Sequence, residues 1–385
     1  MKILYIANIR IPTEKAHGLQ IMKMCESFVF AGVEVKLILP TRKNSIQTDP
    51  FEYYGIKDDF ELKKLKSFDP DFLIPMPAGY YIKAQFLIFI KSLFFYLIFK
   101  KNKKNYIFYT RDEMLLPVLQ LFSKKVVWES HALPNNKKRY FKYWKKCYKI
   151  FCLTNQVKND LIKLGICEDK IVVSPDAVDL KIFDIPESKE DARKKLNLPQ
   201  DKIILGYTGS FKTKGMDKGI ADIIKALSII DKKRQDVIFY SVGGSQEDIE
   251  FYKKIARDYN ILEKLFFIEK VSQKEVALYQ KAFDILLMPF PFNQHYAYYM
   301  SPLKMFEYMA AHRPIIASDL PSIHEILNEK NCLFCRSDDP KDLAEKIDYA
   351  IVEKVELNKL ASVAFNSVKE YTWLKRASNI ISWLN

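Results

Sequence analysis

The sequence lacks the short motifs that identify several large classes of enzyme. No G-x-G-x-x-G follows the first predicted strand and no G-x-x-x-x-G-K-[ST] occurs, which argues against a dinucleotide-dependent oxidoreductase and a P-loop NTPase. G-x-S-x-G and H-E-x-x-H are also absent. With only five histidines, no clustered set of His and Asp stands out as a metal site.

Long apolar runs are scarce as well. The start, MKILYIANIRIP, is too short an apolar run for a signal peptide and is predicted to be a strand, so we expect a cytoplasmic protein. The run FLIFIKSLFFYLIF at 86–99 is interrupted by Lys91 and is shorter than the roughly 20 residues that span a bilayer. We interpret this run as a core helix.

Positive charge is concentrated in the first half of the chain. Residues 1–183 contain 31 Lys/Arg and 18 Asp/Glu, about +13, whereas the rest contains 30 and 29, about +1. The lysines at 100–104 and the basic and aromatic stretch KKRYFKYWKKCYK suit an anionic membrane surface, at about 1 kcal/mol per basic residue near the lipid. Lysines that are merely solvated are the alternative.

Short β-rich runs alternate with longer amphipathic segments along the whole chain. The runs are KILYIAN, VEVKLIL, YIFY, KVVWE, KIFCL and IVVS, then KIILGYT, DVIFYSV, LFFI, DILLM, PIIAS and CLFC. Apolar runs of this kind are typical of parallel sheets covered by helices, so both halves are predicted to be α/β. The charged stretch 184–200 is the predicted linker between domains at 1–183 and 201–368.

Glycines and lysines follow two predicted strands of the second half, where parallel sheets bind ligands. The loop after KIILGYT contains Gly209, Ser210, Lys212, Lys214 and Lys218. Amides at a helix start beside an ammonium suit a phosphate, and an exposed loop with solvated lysines fits this segment equally well. Gly243 and Gly244 follow DVIFYSV, which is a weak signal because any tight turn uses glycine.

In the first half, His131 lies just past a predicted strand, beside Glu129. It is either a histidine with a hydrogen-bonding task or a structural one. Arg111 follows another strand and either binds an anion or fixes a loop. His17 and Gly18 lie in the first strand-to-helix loop, where the glycine either lets the backbone approach a ligand or caps a helix.

A single carboxylate, Glu307, stands in the apolar segment SPLKMFEYMA. Ser301 is a good N-cap and Pro302 suits the first helical position, so a helix is predicted here that runs to about residue 311. On that helix Glu307 lies on or beside the apolar stripe. A buried carboxylate is costly without hydrogen-bond donors, so the donors of Glu307 must be identified.

Taken in order along the chain, these segments resemble the GT-B superfamily of nucleotide-sugar-dependent glycosyltransferases, specifically the SPLK-type branch of retaining family 4. The segments that carry the resemblance are the loop ending in Gly18, YTRD, WESH, SPDAVD, GYTGSF with Lys218-Gly219, SVGG, FDILLMP, SPLKMFEYMA and YTWLKRA. The resemblance implies two Rossmann-like doubly wound parallel-sheet domains that face each other across a cleft. It also implies that 369–385 forms a helix that crosses back to the N-terminal domain.

The resemblance implies a role for each candidate residue. Glu307 would accept hydrogen bonds from the ribose hydroxyls, and the helix start at Ser301–Lys304 would present N–H groups to the diphosphate or sugar. Lys218 would bind the diphosphate and His131 the donor sugar, as the catalytic pair. Helix register favours Lys218, whereas Lys214 is nearer the usual distance from Gly209. The implied donor-binding set is Glu307, Ser301, Leu303, Lys304, Gly209, Ser210, Lys214, Tyr299 and Gly243; His17, Gly18 and Arg111 would line the acceptor side.

The sequence departs from the family pattern at three positions. Tyr299 stands where many members have the first glutamate of an E-x7-E motif, and Ser210 replaces an arginine that assists the diphosphate. Either Lys212 substitutes for this arginine or the leaving group is less well neutralised. His312 replaces a glycine, at a position where a left-handed φ is expected.

The implied activity is transfer of a sugar, with retention and without a metal or other cofactor, from a nucleoside-diphosphate sugar to an acceptor hydroxyl. We expect a glycan or lipid-linked acceptor, peripheral contact with the anionic inner face of a membrane, and no nucleic-acid partner. The alternative is a catalytically degenerate GT-B protein that binds the nucleotide sugar without turnover, as Tyr299 and Ser210 suggest. Nucleic-acid binding, from the basic composition, and a sugar-nucleotide epimerase fit less well.

Overall fold

The computed structural model describes residues 1–57, 60–67, 77–213 and 215–385. The chain divides into two compact units. The first consists of Met1–Pro175 together with Trp373–Asn385, and the second of Asp176–Thr372. Lys214, one of the two candidates for the diphosphate lysine, lies outside the described residues.

The first unit is built on a seven-stranded parallel sheet. Its strands are β1 (Lys2–Ile6), β2 (Glu34–Pro40), β3 (Glu61–Leu65), β4 (Ile107–Thr110), β5 (Val126–Ser130), β6 (Lys149–Cys152) and β7 (Ile171–Val173). The sheet order is β3-β2-β1-β4-β5-β6-β7, which is the doubly wound order. Every residue of β4 and β5 is buried, because these central strands are covered on both faces.

The helices of the first unit follow its strands. They are α1 (Ala16–Phe30), α2 (Pro50–Tyr54), α3 (Ala78–Phe99), α4 (Leu116–Phe122), α5 (Lys137–Trp144), α6 (Asn155–Lys163) and, from the end of the chain, α17 (Trp373–Leu384). The terminal helix α17 packs against α1. Its apolar face buries residues such as Trp373, Ile380 and Leu384.

Helix α3 is longer and more exposed than the predicted core helix. Its buried row is Phe86, Phe89, Leu93 and Leu97, at helical spacing. The opposite row leaves Leu87, Phe95 and Phe99 exposed by 65%, 50% and 78%. By length and composition Gly79–Phe99 could cross a membrane, and only 22% of its most apolar window is buried. The core-helix interpretation is therefore wrong for this exposed row.

The second unit has a six-stranded parallel sheet and a short antiparallel ribbon. The strands are β8 (Ile203–Thr208), β9 (Lys212–Thr213), β10 (Met216–Asp217), β11 (Val237–Gly244), β12 (Leu265–Glu269), β13 (Ile285–Met288), β14 (Ile315–Ser318) and β15 (Leu333–Cys335). The sheet order β12-β11-β8-β13-β14-β15 is again doubly wound, and β9 pairs with β10. Alternate residues of β8, such as Ile204 and Leu205, enter two separate apolar clusters, as expected for a sheet covered on both faces.

The helices of the second unit cover both faces of this sheet. They are α7 (Leu180–Phe183), α8 (Lys189–Lys195), α9 (Ile220–Ile230), α10 (Gln246–Asp258), α11 (Gln273–Ala282), α12 (Gln294–Tyr298), α13 (Leu303–Ala310), α14 (Pro321–His324), α15 (Pro340–Val352) and α16 (Lys354–Val368). Residues 176–183, assigned from sequence to the first domain, belong to this unit. The suggested linker at 184–200 contains α8, whose buried Arg193 forms an ion pair with Asp284 at 2.6 Å.

Candidate functional site

Two glycines shape the carboxyl end of the sheet in the second unit. Gly209 follows β8 with φ +111°, and Gly243 lies at the end of β11 with φ +115°. A Cβ atom on Gly243 would lie 2.8 Å from the carbonyl oxygen of Gly209, so the two turns approach closely only because both residues lack a side chain. The switch point of a doubly wound sheet lies at this end, between β8 and β13.

Lys218 lies beside this turn. Its Nζ donates a hydrogen bond to Oγ of Ser210 at 2.7 Å. Gly219 is the N-cap of α9 with φ +94°, so Lys218 immediately precedes the helix cap. Burial lowers the pKa of Lys218 to about 8. A cation at this position lies close to the first amides of α9, in surroundings that favour an anionic ligand.

Helix α13 begins one residue later than predicted, at Leu303 instead of Pro302. The N-cap is Pro302, and among the described residues no side chain caps this helix start. Ser301, the predicted cap, instead accepts a hydrogen bond at Oγ from the backbone N–H of Asp176 at 3.0 Å. This tertiary contact replaces the local cap, so the prediction for Ser301 is wrong. The helix presents Leu303 as its first residue and ends before His312, whose φ of 55° is left-handed as expected.

Glu307 has few protein donors in the second unit. Its Oε2 accepts one long hydrogen bond, at 3.4 Å, from Nε2 of Gln280, and this nitrogen also donates to Thr208 at 2.8 Å. A carboxylate can accept about four hydrogen bonds, so most of its capacity remains for a ligand. Burial raises the pKa of Glu307 to about 7, although Gln280 and Lys304 favour the ionised form.

Lys304 lies on the first turn of the same helix with a buried side chain. Among the described residues its Nζ has no hydrogen-bond partner; it lies over the ring of Tyr207, 3.4 Å from the ring centroid. A Cβ atom on Gly209 would be 3.5 Å from this nitrogen. Burial, together with the nearby charge of Lys218, holds the pKa of Lys304 well below 10.5.

The residues at the other departures from the family pattern have their own contacts. Tyr299 is the C-cap of α12, is partly exposed, and donates its N–H to the carbonyl of His295 at 3.0 Å. Lys212 pairs with Asp248 at 3.4 Å and lies over the Phe251 ring at 3.8 Å. Lys212 is thus already engaged on the surface, which weakens the idea that it replaces the missing arginine.

A charged network surrounds His131 in the first unit. Arg111 donates to Nδ1 of His131 at 2.7 Å, and Nε2 lies 2.6 Å from Oε1 of Glu129. Because arginine can only donate, Nδ1 accepts and Nε2 carries the proton, which fixes the neutral tautomer. Burial and the Arg111 charge lower the pKa of His131 to about 3.

Glu129 also binds Arg376, which sequence reasoning did not identify. Arg376 comes from α17 and donates to Oε1 of Glu129 at 3.1 Å and to the carbonyl of Pro175 at 2.7 Å. Burial opposes ionisation of Glu129, but Arg376 and His131 outweigh it and hold its pKa well below 4.5. In the sequence, Arg376 was part of the YTWLKRA segment only. That segment gives no indication of a partner 247 residues away in the chain.

The remaining acceptor-side candidates lie on α1. Burial, followed by the charge of Arg111, lowers the pKa of His17 to about 4, so its ring is neutral. Gly18 lies inside α1, and a Cβ atom there would be 2.2 Å from the hydroxyl oxygen of Tyr54 and 2.5 Å from Thr13. Gly18 therefore does not cap the helix, and its missing side chain makes room for Tyr54.

Within the described parts of the chain, no group of three or more His, Cys, Asp or Glu residues is placed to hold a metal ion. The charged groups at the sheet end of the second unit are instead lysines and one carboxylate. Such a combination suits a ligand that carries both phosphate groups and sugar hydroxyls.

Curated relatives match part of the chain. A D-inositol 3-phosphate glycosyltransferase of Stackebrandtia nassauensis is 23% identical over 219 residues, covering 55% of this chain and 48% of that protein. The putative teichuronic acid biosynthesis glycosyltransferase TuaH of Bacillus subtilis is 22% identical over 245 residues, covering 61% and 57%. The chain thus spans about half the length of the curated relatives it matches.

Solved structures match nearly all of this chain. Sucrose-phosphate synthase from Thermosynechococcus elongatus has a TM-score of 0.77 at 18% identity, covering 99% of this chain and 97% of that one. Anabaena Alr3699/HepE in complex with UDP and glucose has a TM-score of 0.70 at 13% identity, covering 100% and 99%. These likenesses establish the fold as GT-B. The model of the family "Glycosyl transferases group 1" matches residues 188–366, a part of the chain that includes Glu307.

Proposed function

We propose that the protein is a retaining glycosyltransferase that moves a sugar from a nucleoside-diphosphate sugar to an acceptor hydroxyl, without a metal or other cofactor. The observation that carries this proposal is the Glu307 carboxylate, which has one long protein hydrogen bond and lies on the same helix as Lys304. Ribose hydroxyls would supply the missing donors, and the lysines would bind the diphosphate.

The proposed reaction breaks the bond between the anomeric carbon and the diphosphate oxygen and forms a bond from that carbon to the acceptor oxygen on the same face. The acceptor proton passes to the leaving diphosphate. Negative charge grows on the diphosphate in the transition state, so a cation placed beforehand stabilises it. Lys218, fixed by Ser210 and the start of α9, would supply that charge.

His131 has a narrower role in this proposal than the sequence suggested. With Nε2–H held by Glu129, only Nδ1 can accept a hydrogen bond from a sugar hydroxyl, and that bond must replace the one from Arg111. His131 would therefore orient the sugar as a neutral acceptor and would not transfer a proton at neutral pH, since its pKa is lowered to about 3.

A thermal-shift panel of UDP-, GDP- and ADP-sugars tests the donor site, because a ligand that binds only the folded state raises its melting temperature. UDP-glucose is the first ligand to try, since the Anabaena structure contains UDP and glucose. We expect one nucleotide class to stabilise the wild type and to lose most of its effect in Glu307→Gln. Glu345→Gln, an exposed carboxylate on α15, is the control. Equal shifts in all three proteins would remove Glu307 from the site.

The acceptor proposed is a lipid-linked or cell-envelope glycan, reached at the anionic inner face of a membrane. The name of the Bacillus subtilis relative, which refers to teichuronic acid biosynthesis, supports an envelope glycan. The α3 stripe, defined as Leu87, Lys91, Phe95 and Phe99, supports membrane contact. Three of its four exposed side chains, spaced four residues apart, are apolar, and exposed lysines follow at 101 and 104. Lys91 can extend its ammonium toward the headgroups.

Co-sedimentation with vesicles tests this contact separately from catalysis. The wild type should bind phosphatidylcholine vesicles that contain phosphatidylglycerol, and bind neutral vesicles weakly, because each basic residue contributes about 1 kcal/mol near anionic lipid. Phe95→Ser/Phe99→Ser should reduce binding, whereas Val355→Ser, an exposed apolar residue of α16, should not. Equal binding of all three proteins would exclude the α3 stripe.

A binding protein without turnover is the second candidate, favoured by the uncharged Tyr299 and by Ser210 at the arginine position. Release of free nucleoside diphosphate from a donor sugar, followed with and without acceptor glycans, separates the two. Binding without release over many hours, for every donor that stabilises the fold, would favour the second candidate.

A further inference from the structure

The ammonium of Lys304 is a buried charge for which Glu307 and Asp217 compensate only in part, since burial and the charge of Lys218 outweigh them. The residue is 7% exposed, and Nζ has no hydrogen-bond partner among the described residues. Its contacts are the faces of two aromatic rings, with the Tyr207 centroid at 3.4 Å and the Phe290 centroid at 5.5 Å. Cation–π contacts recover only part of the hydration that a lysine loses on burial.

Packing alone does not explain a lysine at this position. A methionine would place a chain of similar length against the same rings without the cost of a buried ammonium. Glu307 and Asp217 compensate the ammonium in part, and the remaining cost is either borne by the fold or offset by a bound anion. The neighbouring groups indicate which ligand could do this.

A second cation lies close by. The charge of Lys218 lowers the pKa of Lys304, as a like charge nearby disfavours the protonated form. The turn at Gly209 lies against the Lys304 side chain. A Cβ atom on Gly209 would be 3.4 Å from Cε and 3.5 Å from Nζ of Lys304. Two ammoniums beside one glycine turn and an uncapped helix start suit an anion with more than one charge.

We propose that the Lys304 side chain is the second diphosphate-binding cation of this protein and takes the place of the arginine that Ser210 lacks. This inference rests on the proposed function, because it assigns the phosphate-binding part of the same donor site. The ligand class is a nucleoside diphosphate or its sugar ester. Lys212, the other candidate, already pairs with Asp248 and lies over the Phe251 ring, which argues against this role.

In this proposal Glu307 and Lys304 contact different parts of the ligand. Glu307 would contribute to every ligand with a ribose, whereas Lys304 would contribute only where a diphosphate is present. A nucleoside should therefore bind wild type and Lys304→Met about equally. A nucleoside diphosphate should bind the variant about 10- to 100-fold more weakly, the range for one hydrogen bond to a charged group.

The test is calorimetric titration of uridine, UMP and UDP, with the guanosine and adenosine series in parallel, against wild type, Lys304→Met and Lys212→Met. We expect the loss to be confined to Lys304→Met and to the diphosphates. The ligand-free Lys304→Met protein should melt at the same or a higher temperature than wild type, since a desolvated charge has been removed. A merely structural lysine would give a lower melting temperature and equal losses for all ligands.

Other outcomes overturn the inference in distinguishable ways. If wild type binds a diphosphate and Lys304→Met binds it equally well, Lys304 is not a diphosphate ligand while the proposed function stands. If the loss occurs in Lys212→Met instead, the cation is Lys212. If wild type binds none of the nine ligands, the proposed function fails as well. Lys304→Gln provides a second neutral variant if the methionine protein does not fold.

Discussion

Replacing Glu307 with glutamine should stabilise the ligand-free protein at alkaline pH while removing its response to nucleotide. The carboxyl is buried enough that its pKa is about 7, against an ordinary value of 4.5. Between pH 4.5 and about pH 7, the Glu307 carboxyl therefore keeps its proton in the folded state, whereas in the unfolded chain it is already ionised. The folded protein binds more protons, so its unfolding free energy falls as pH rises through this window.

The size of the effect follows from the shift. A difference of about 2.5 pKa units at about 1.4 kcal/mol per unit corresponds to about 3.5 kcal/mol, of which the range from pH 5 to pH 8 covers most. This stability is fully present below about pH 4.5 and is lost by about pH 7 to 8 in the wild type. Glutamine has no proton to lose, so the variant gains about 3 kcal/mol over wild type between pH 5 and pH 8.

Urea unfolding at pH 5 and pH 8 measures this difference directly, with Glu345→Gln as the exposed control. At pH 8 a nucleoside diphosphate at about 100 times its Kd should add about 2.7 kcal/mol to the wild type and little to Glu307→Gln. A stability difference between the two proteins that is independent of pH would refute the burial argument. A full ligand response in the variant would refute the ribose-binding role.

Three further changes test other parts of the structure. Lys218→Met should lower kcat by about 10²-fold. The wild type should lose activity above about pH 8, where Lys218 deprotonates, and the variant should not show this loss. If the variant loses activity above pH 8 as the wild type does, a group other than Lys218 causes the loss. Gly219→Ala should destabilise by more than about 2 kcal/mol, since its Cβ would lie 1.8 Å from a carbonyl oxygen. Gly32→Ala, also at positive φ but with no described atom within 4 Å, should cost about 1 to 2 kcal/mol in urea unfolding, and equal losses would contradict the clash. Arg376→Met should cost about 3 to 5 kcal/mol by leaving Glu129 short of a cation, and Glu129→Gln in the same chain should restore part of it; no restoration would show that packing dominates.

The strands were predictable because burial on both faces leaves a clear mark in the sequence. All twelve apolar runs correspond to strands of the two sheets. The strand that was missed, β3 (ELKKL), lies at the sheet edge, where Glu61, Lys63 and Lys64 face solvent and hide the apolar pattern. The ribbon of β9 and β10 has only two residues per strand, too few for any periodicity.

Exposure and tertiary contacts were not predictable in the same way. Helix α3 is apolar on nearly all sides, so its pattern could not show that one row faces outward. Ser301 has the composition of an N-cap, but a backbone N–H from Asp176 uses its hydroxyl. Arg376 reaches Glu129 only because α17 belongs to the first unit. Local preferences decide none of these three features.

Binding and turnover place different demands on the two charged side chains of α13, Lys304 and Glu307. Burial favours the uncharged forms of Lys304 and Glu307, and neutral residues of similar size would fit the same space at less cost. Fold stability therefore does not account for either residue, whereas the proposed ligand binding would account for both. Turnover depends instead on whether charge that develops on the leaving diphosphate is stabilised more than the ground state. If Lys304 binds the diphosphate equally in both states, it should change KM and leave kcat nearly unaltered, whereas a loss of kcat would place it with Lys218 in the transition state.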